Sequence, residues 1–163
     1  MNYHNFISIF KNQVYNLGPG KGLDFALKIS KELLPEYLIF FHVHEWGNPE
    51  FLKDAILLCE QSKVSPINEA EIAAMAVKVE EVTPHMDDYG DLIASYALNA
   101  CIAVYYSLQF LIDNDPSHLY NVGISYTDTI DFKVQGEETL TEDEIAAHPD
   151  MINAWEFIIE ETK

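Results

Sequence analysis

The 163-residue chain carries a formal net charge of −18, from 27 Asp+Glu against 9 Lys+Arg, and 48% of its residues are hydrophobic. A chain this apolar is not disordered, and one this acidic repels nucleic acid and anionic membrane. Every cation is a lysine, so the bidentate arginine grip on phosphate is excluded.

Phe6, Ile9, Phe10, Gln13, Val14 and Leu17 recur at three- and four-residue steps and predict an amphipathic helix. Gly18-Pro19-Gly20 ends it. The stretch Gly18 to Gly22 lacks the Gly-Lys-Ser/Thr tail of a phosphate loop, so it reads as a helix break. A second helix starts at Leu23 and carries Phe25, Ala26, Ile29 and Leu33. Because proline is poorly tolerated inside a helix, Pro35 is expected in the first turn of a separate third helix running to Trp46. Gly47-Asn48 breaks that helix, and Pro49 opens the next, which carries Phe51, Leu52, Ala55, Ile56, Leu58 and Cys59. After the Ser65-Pro66 break, Ile67 to Val82 is helical, with Asn68 as N-cap and Glu71 placed for a variant capping box.

The polar loop Thr83 to Gly90 leads into the run around which the chain is organised, Leu92 to Ile112, which has no charged residue. A helix apolar nearly all round is buried in a protein core or in a membrane. Ser95, Asn99, Ser107 and Gln109 interrupt the run, Ala94, Ala97, Ala100 and Ala103 suit close helix contacts, and no lysine cluster flanks it. The expectation is a core helix, not a span. Beyond it, Asp115-Pro116 is an N-cap and an N1 proline for a helix through Leu119, Val122, Tyr126 and Ile130, ended by Gly136. Thr141-Glu142-Asp143-Glu144 is a capping box for a short helix, and Pro149 opens the last one, with Met151, Ile152, Trp155, Ile158 and Ile159. The fold class expected is all-α, a single domain over residues 1–163 of about seven helices around the central helix 92–112.

Several stretches together resemble a bacterial family of unknown function, the YjaG-like family (domain-of-unknown-function family four-sixteen). They are Leu34-Pro35-Glu36-Tyr37 with Phe40 and Phe41; Val79 to Pro84 with Asp87-Asp88; Ala97, Asn99-Ala100-Cys101 and Ala103-Val104; and Leu140 to Glu144 with His148-Pro149 and Trp155-Glu156. The resemblance spans roughly Leu23 to Glu160. It implies an all-helical fold and brings no activity, so no catalytic residue is carried over.

The residues themselves offer no catalytic set. His42 and His44 lie two apart, about 200° round a helix, and cannot chelate one ion from there; no histidine pair has i, i+4 spacing. Asp87, Asp88 and Asp91 suit the amino end of the central helix better than a calcium loop. There is no Gly-x-Ser-x-Gly elbow, and Cys59 and Cys101 read as buried free thiols. No metal, cofactor or catalytic residue is therefore expected. The amino terminus lacks a basic, then apolar, leader, so a cytoplasmic location is expected.

What remains is charged surface. Residues 113–163 hold net −11 of the total, against −1 for residues 1–64 and −6 for residues 65–112. Asp128, Asp131, Glu137, Glu138, Glu142, Asp143 and Glu144 form a dense acidic tract with Tyr120 and Tyr126 nearby, and Asp87 and Asp88 add a second acidic point. Carboxylates beside tyrosines suit a lysine- or arginine-rich partner. The function expected is a small acidic protein-binding protein, an immunity or inhibitor protein that neutralises a basic toxin such as a nuclease. The alternative is a housekeeping binding or scaffold domain, with homo-oligomerisation open, and an enzyme ranks behind both.

Overall fold

The computed structural model describes residues 1–163 and contains helices and no strand. In chain order they are α1 (Tyr3–Asn16), α2 (Pro19–His44), α3 (Pro49–Ser62), α4 (Glu69–Glu81), α5 (Leu92–Asp113), α6 (Pro116–Gln135), α7 (Glu142–Ala147) and α8 (Pro149–Glu161), with a 3-10 turn at Met86–Asp88. The all-α expectation holds, with eight α-helices in place of about seven.

The central helix is α5. It lies against α2, α3, α4 and α6, while α1 and α8 form an outer pair on α6. Ala94, Ala97, Ala100 and Ala103 are all fully buried, so one side of α5 offers neighbours a surface without bulk. The polar interruptions of the run join helices. The Ser107 hydroxyl lies 3.1 Å from that of Ser30 on α2, and the Asn99 amide donates to Thr129 Oγ1 on α6 at 3.0 Å. By length and composition α5 would pass for a membrane span, with half of its apolar window buried; the helices packed around it account for that character.

Most helix starts form as the sequence predicts. Asp91 Oδ1 accepts from Ala94 N at 2.9 Å, Asp115 caps α6, and Thr141 and Glu144 make the reciprocal capping box of α7. At α4, Asn68 accepts from Ala70 N at 2.7 Å, without the Glu71 half of a box.

One expectation is overturned. Pro35 does not open a new helix; α2 runs unbroken from Pro19 to His44 with Pro35 inside it. The reason is packing on both sides. Pro35 itself faces solvent, where water can take up the freed carbonyl one turn earlier, while Ile29, Leu33, Tyr37 and Phe40 are buried before and after it. Tertiary burial outweighs the local penalty of about 3 kcal/mol for an interior proline. The helix also stops at His44, short of Trp46, with Glu45 in the left-handed region as its C-cap.

Candidate functional site

The acidic tract does not form one surface. On α6, Asp128 and Asp131 are one turn apart and share a face. That face, with Glu142 of α7, borders a cavity of about 190 Å³ that α8 closes with Met151 and Trp155 and α1 closes with Tyr3. No lysine lines it. The other hollows, about 360 to 600 Å³, are more open to solvent.

The surroundings of Asp128 are unfavourable to its charge. Burial pushes its carboxyl pKa up, and the neighbouring Asp131 carboxylate pushes it further. The Tyr3 phenol is raised likewise, by burial first and then by Tyr120, Asp128 and Asp131. Lys133, the nearest cation along α6, is turned away, paired with Glu36 of α2 and set over the Tyr96 ring at 5.3 Å. At the floor, Trp155 is 2% exposed, its ring stacked on Phe6 at a centroid distance of 5.6 Å. Its indole N–H is buried and has no acceptor in the protein.

The remaining tract residues lie elsewhere. Glu137 and Glu138 are exposed in the turn after α6, and Asp143 is exposed on α7. Glu144 is occupied by the capping box, whose hydrogen bonds from Thr141 hold its carboxyl pKa down. Tyr120 stacks on Phe10 at 5.5 Å, whereas Tyr126 faces away from the cavity, against Phe157 at 5.2 Å. Asp87 and Asp88 lie in the 3-10 turn ahead of α5, not among the cavity residues. Tyr3 and Trp155 were not legible as site residues, because they stand at opposite ends of the chain and Trp155 fits an ordinary apolar stripe.

The other groups weighed from the sequence serve the fold. His44 Nε2 lies 2.8 Å from Asp91 Oδ2, so the histidine ties the end of α2 to the cap of α5, with Tyr89 and Phe40 against its ring. Burial pushes the thiols of Cys59 and Cys101 up to about 12, which leaves both protonated and unreactive. Asp113, Asp115 and His118 bring their ligand atoms within 4.8 Å of one another at the start of α6. Within the group, Asp113 accepts from Asp115 N at 2.9 Å and meets His118 Nε2 at 3.0 Å, and Asp115 accepts from Ser117 N at 2.9 Å, while His118 Nδ1 is buried without a partner.

The cavity makes a prediction about stability. With its pKa raised in the folded state, Asp128 destabilises the fold when ionised. That penalty is absent below the ordinary carboxylate pKa, develops between that value and the raised one, and is complete above it. Asp128→Asn is therefore expected to raise Tm at pH 7 and to lose that advantage on acidification. Thermal melts across the acid range check this; an advantage that stays constant with pH would show that charge is not its origin.

Comparison with known proteins places the fold. A family described as "Protein of unknown function (DUF416)" matches residues 9–161. The match takes in most of α1, which the sequence resemblance had left out. No curated protein matches the chain. The chain is similar to the crystal structure of a DUF416 family protein from Shewanella baltica OS155, at 23% identity and a TM-score of 0.81, over 94% of this chain and 81% of that one. The family that the motifs around Pro35, Asp87, Asn99 and Trp155 resemble is thus the one whose model spans nearly the whole sequence, and the chain belongs to the DUF416 family, whose function is unknown.

Proposed function

We propose that this chain is a binding domain for a basic protein partner, and that the partner docks on α6 and α7 around the Asp128–Asp131–Glu142 cavity. The observation that carries the reading is the placement of three carboxylates from two helices, Asp128 and Asp131 half-buried and Glu142 exposed, around one partly open cavity with no lysine in its lining. The net charge of −18 would steer a cationic partner toward that face and speed its encounter. Two buried free cysteines suit a reducing compartment, in keeping with the cytoplasm. Membership of a family of unknown function supports the broad form of this reading, a binding or scaffold domain, better than the narrow form of a toxin inhibitor.

The test separates a site from bulk charge. A fluorescent lysine-rich peptide with a free amino terminus is titrated into two variants of equal charge change. Asp128→Asn/Asp131→Asn/Glu142→Gln empties the cavity of carboxylates, and Glu137→Gln/Glu138→Gln/Asp143→Asn removes exposed acids nearby. The first is expected to bind about tenfold more weakly than wild type, roughly 1.4 kcal/mol, and the second much less so. Equal losses would mean that only net charge attracts the peptide, and the docking site would have to be given up.

A further inference from the structure

A separate cavity of about 360 Å³ opens between the carboxyl end of α4 and the middle of α5, and it shares no residue with the one that Asp128 borders. Glu80 is the only carboxylate in its lining, and no lysine lines it. Glu80 stands in the last turn of α4, where the helix dipole also favours positive charge. The one cation of that turn, Lys78, is set over the Phe51 ring of α3 at 5.6 Å.

The rest of the wall is mostly apolar and aromatic. Ile102 and the protonated Cys101 thiol supply part of it. Tyr105 and Tyr106 supply more, with their rings at 80° and centroids 5.3 Å apart. An edge-to-face pair of this kind makes a corner whose two sides are ring faces. Tyr106 is steadied by His118, which stacks on it at 5.6 Å. Tyr105 stands beside Glu80: burial raises its phenol pKa first, and the Glu80 charge and a hydrogen bond to that carboxylate raise it further. The two other polar side chains bring no fixed charge of their own. Thr83 Oγ1 donates to Val79 O at 2.7 Å, and His85 is exposed.

A carboxylate beside tyrosine rings recognises a cation. The wall decides which kind. A primary ammonium brings three N–H donors, and an aliphatic side chain, a thiol and aromatic rings offer them weak acceptors or none. An alkylated ammonium makes no such demand and presents methyl surface to the same wall. The volume suits a small guest, since ligand pockets run from about 300 to 1,000 Å³.

We propose that the α4–α5 cavity binds a small alkylated ammonium cation of the trimethylammonium kind, its charge balanced by Glu80 and its methyl groups lodged against Tyr105 and Tyr106. The site is independent of the acidic α6–α7 face, and the docking reading stands or falls separately.

Choline is the probe, titrated into the full chain at physiological salt, which screens the diffuse field of an acidic protein within ~8 Å. Two controls accompany it: the neutral alcohol in which carbon replaces the choline nitrogen, and methylammonium. Choline is expected to bind saturably and about tenfold more tightly than either control. Its N-methyl proton resonance should move upfield, because ring faces shield a guest that lies over them. Tyr105→Leu keeps apolar bulk without the ring and should weaken binding about tenfold. Glu80→Gln, at an exposed position that the fold does not depend on, should do the same and keeps the test decisive if Tyr105→Leu fails to fold. Glu81→Gln removes the next carboxylate, which does not line the cavity, and should leave affinity unchanged. Equal binding of the neutral alcohol would reduce the site to an apolar hollow and overturn the proposal. Equal losses from Glu80→Gln and Glu81→Gln would overturn it in favour of bulk charge. An N-methyl signal that stays in place or moves downfield, or the absence of saturable binding, would also overturn it.

Discussion

Gly47→Ala is expected to destabilise the fold by about 3 kcal/mol, the sum of a strained backbone and a disturbed buried hydroxyl. Gly47 has φ +96°, a region that residues with a Cβ rarely adopt, and a Cβ built there would lie 2.2 Å from Tyr37 Oη. The hydroxyl has nowhere convenient to go. It donates to Val82 O at 2.6 Å and accepts from Asn48 N at 3.2 Å, joining α2 to the end of α4 and the start of α3. Urea denaturation followed by circular dichroism measures the loss. The double variant Gly47→Ala/Tyr37→Phe removes the atom that clashes, so it should fall short of the sum of the singles. Strict additivity would show that backbone strain acts alone and that the contact with Tyr37 is unimportant.

The second large effect lies where α1 crosses α6. Gly123 sits inside α6, where alanine would normally add stability of up to ~1 kcal/mol through helix propensity. Here Gly123→Ala is expected to destabilise by about 2 kcal/mol net, because overpacking outweighs propensity. A Cβ at Gly123 would approach Phe10 Cζ to 2.3 Å. That ring is fully buried and boxed by Phe6, Tyr120 and Phe25 at centroid distances of 5.7, 5.5 and 6.1 Å, so it cannot swing aside. Phe10→Leu leaves space where the ring edge was. In a double-mutant cycle of thermal or urea unfolding, the pair should therefore be more stable than the two single losses predict. A stabilised Gly123→Ala would refute the close approach of α1 and α6.

Local physics was legible along the chain. Proline and glycine positions marked most helix ends, Asp91, Asp115 and Thr141 were readable as caps, and the charge-free run from Leu92 to Ile112 announced α5. The failure at Pro35 has the same origin as these successes. A local rule predicts a break, but the rule has no knowledge of Leu33 and Tyr37 packed on either side of the proline, and their burial holds the helix together.

The acidic tract shows where sequence reading stops. Counting carboxylates between Asp128 and Glu144 marks an acidic region, because charge is a property of composition. Their division was set by helix phase and packing. Asp128 and Asp131 lie on the face of α6 that meets α7 and α8, whereas Tyr126 turns toward Phe157. Residues at Tyr3 and Trp155 meet only because α1 and α8 both lie on α6. No spacing rule links positions at the two ends of a chain. Composition and periodicity were sufficient for an acidic, all-helical protein built on α5, since those are sums over neighbours in sequence. The lysine-free cavity, the destabilised Asp128 and the unpaired indole of Trp155 are relations between neighbours in space, and only the packing of α1, α6, α7 and α8 creates them.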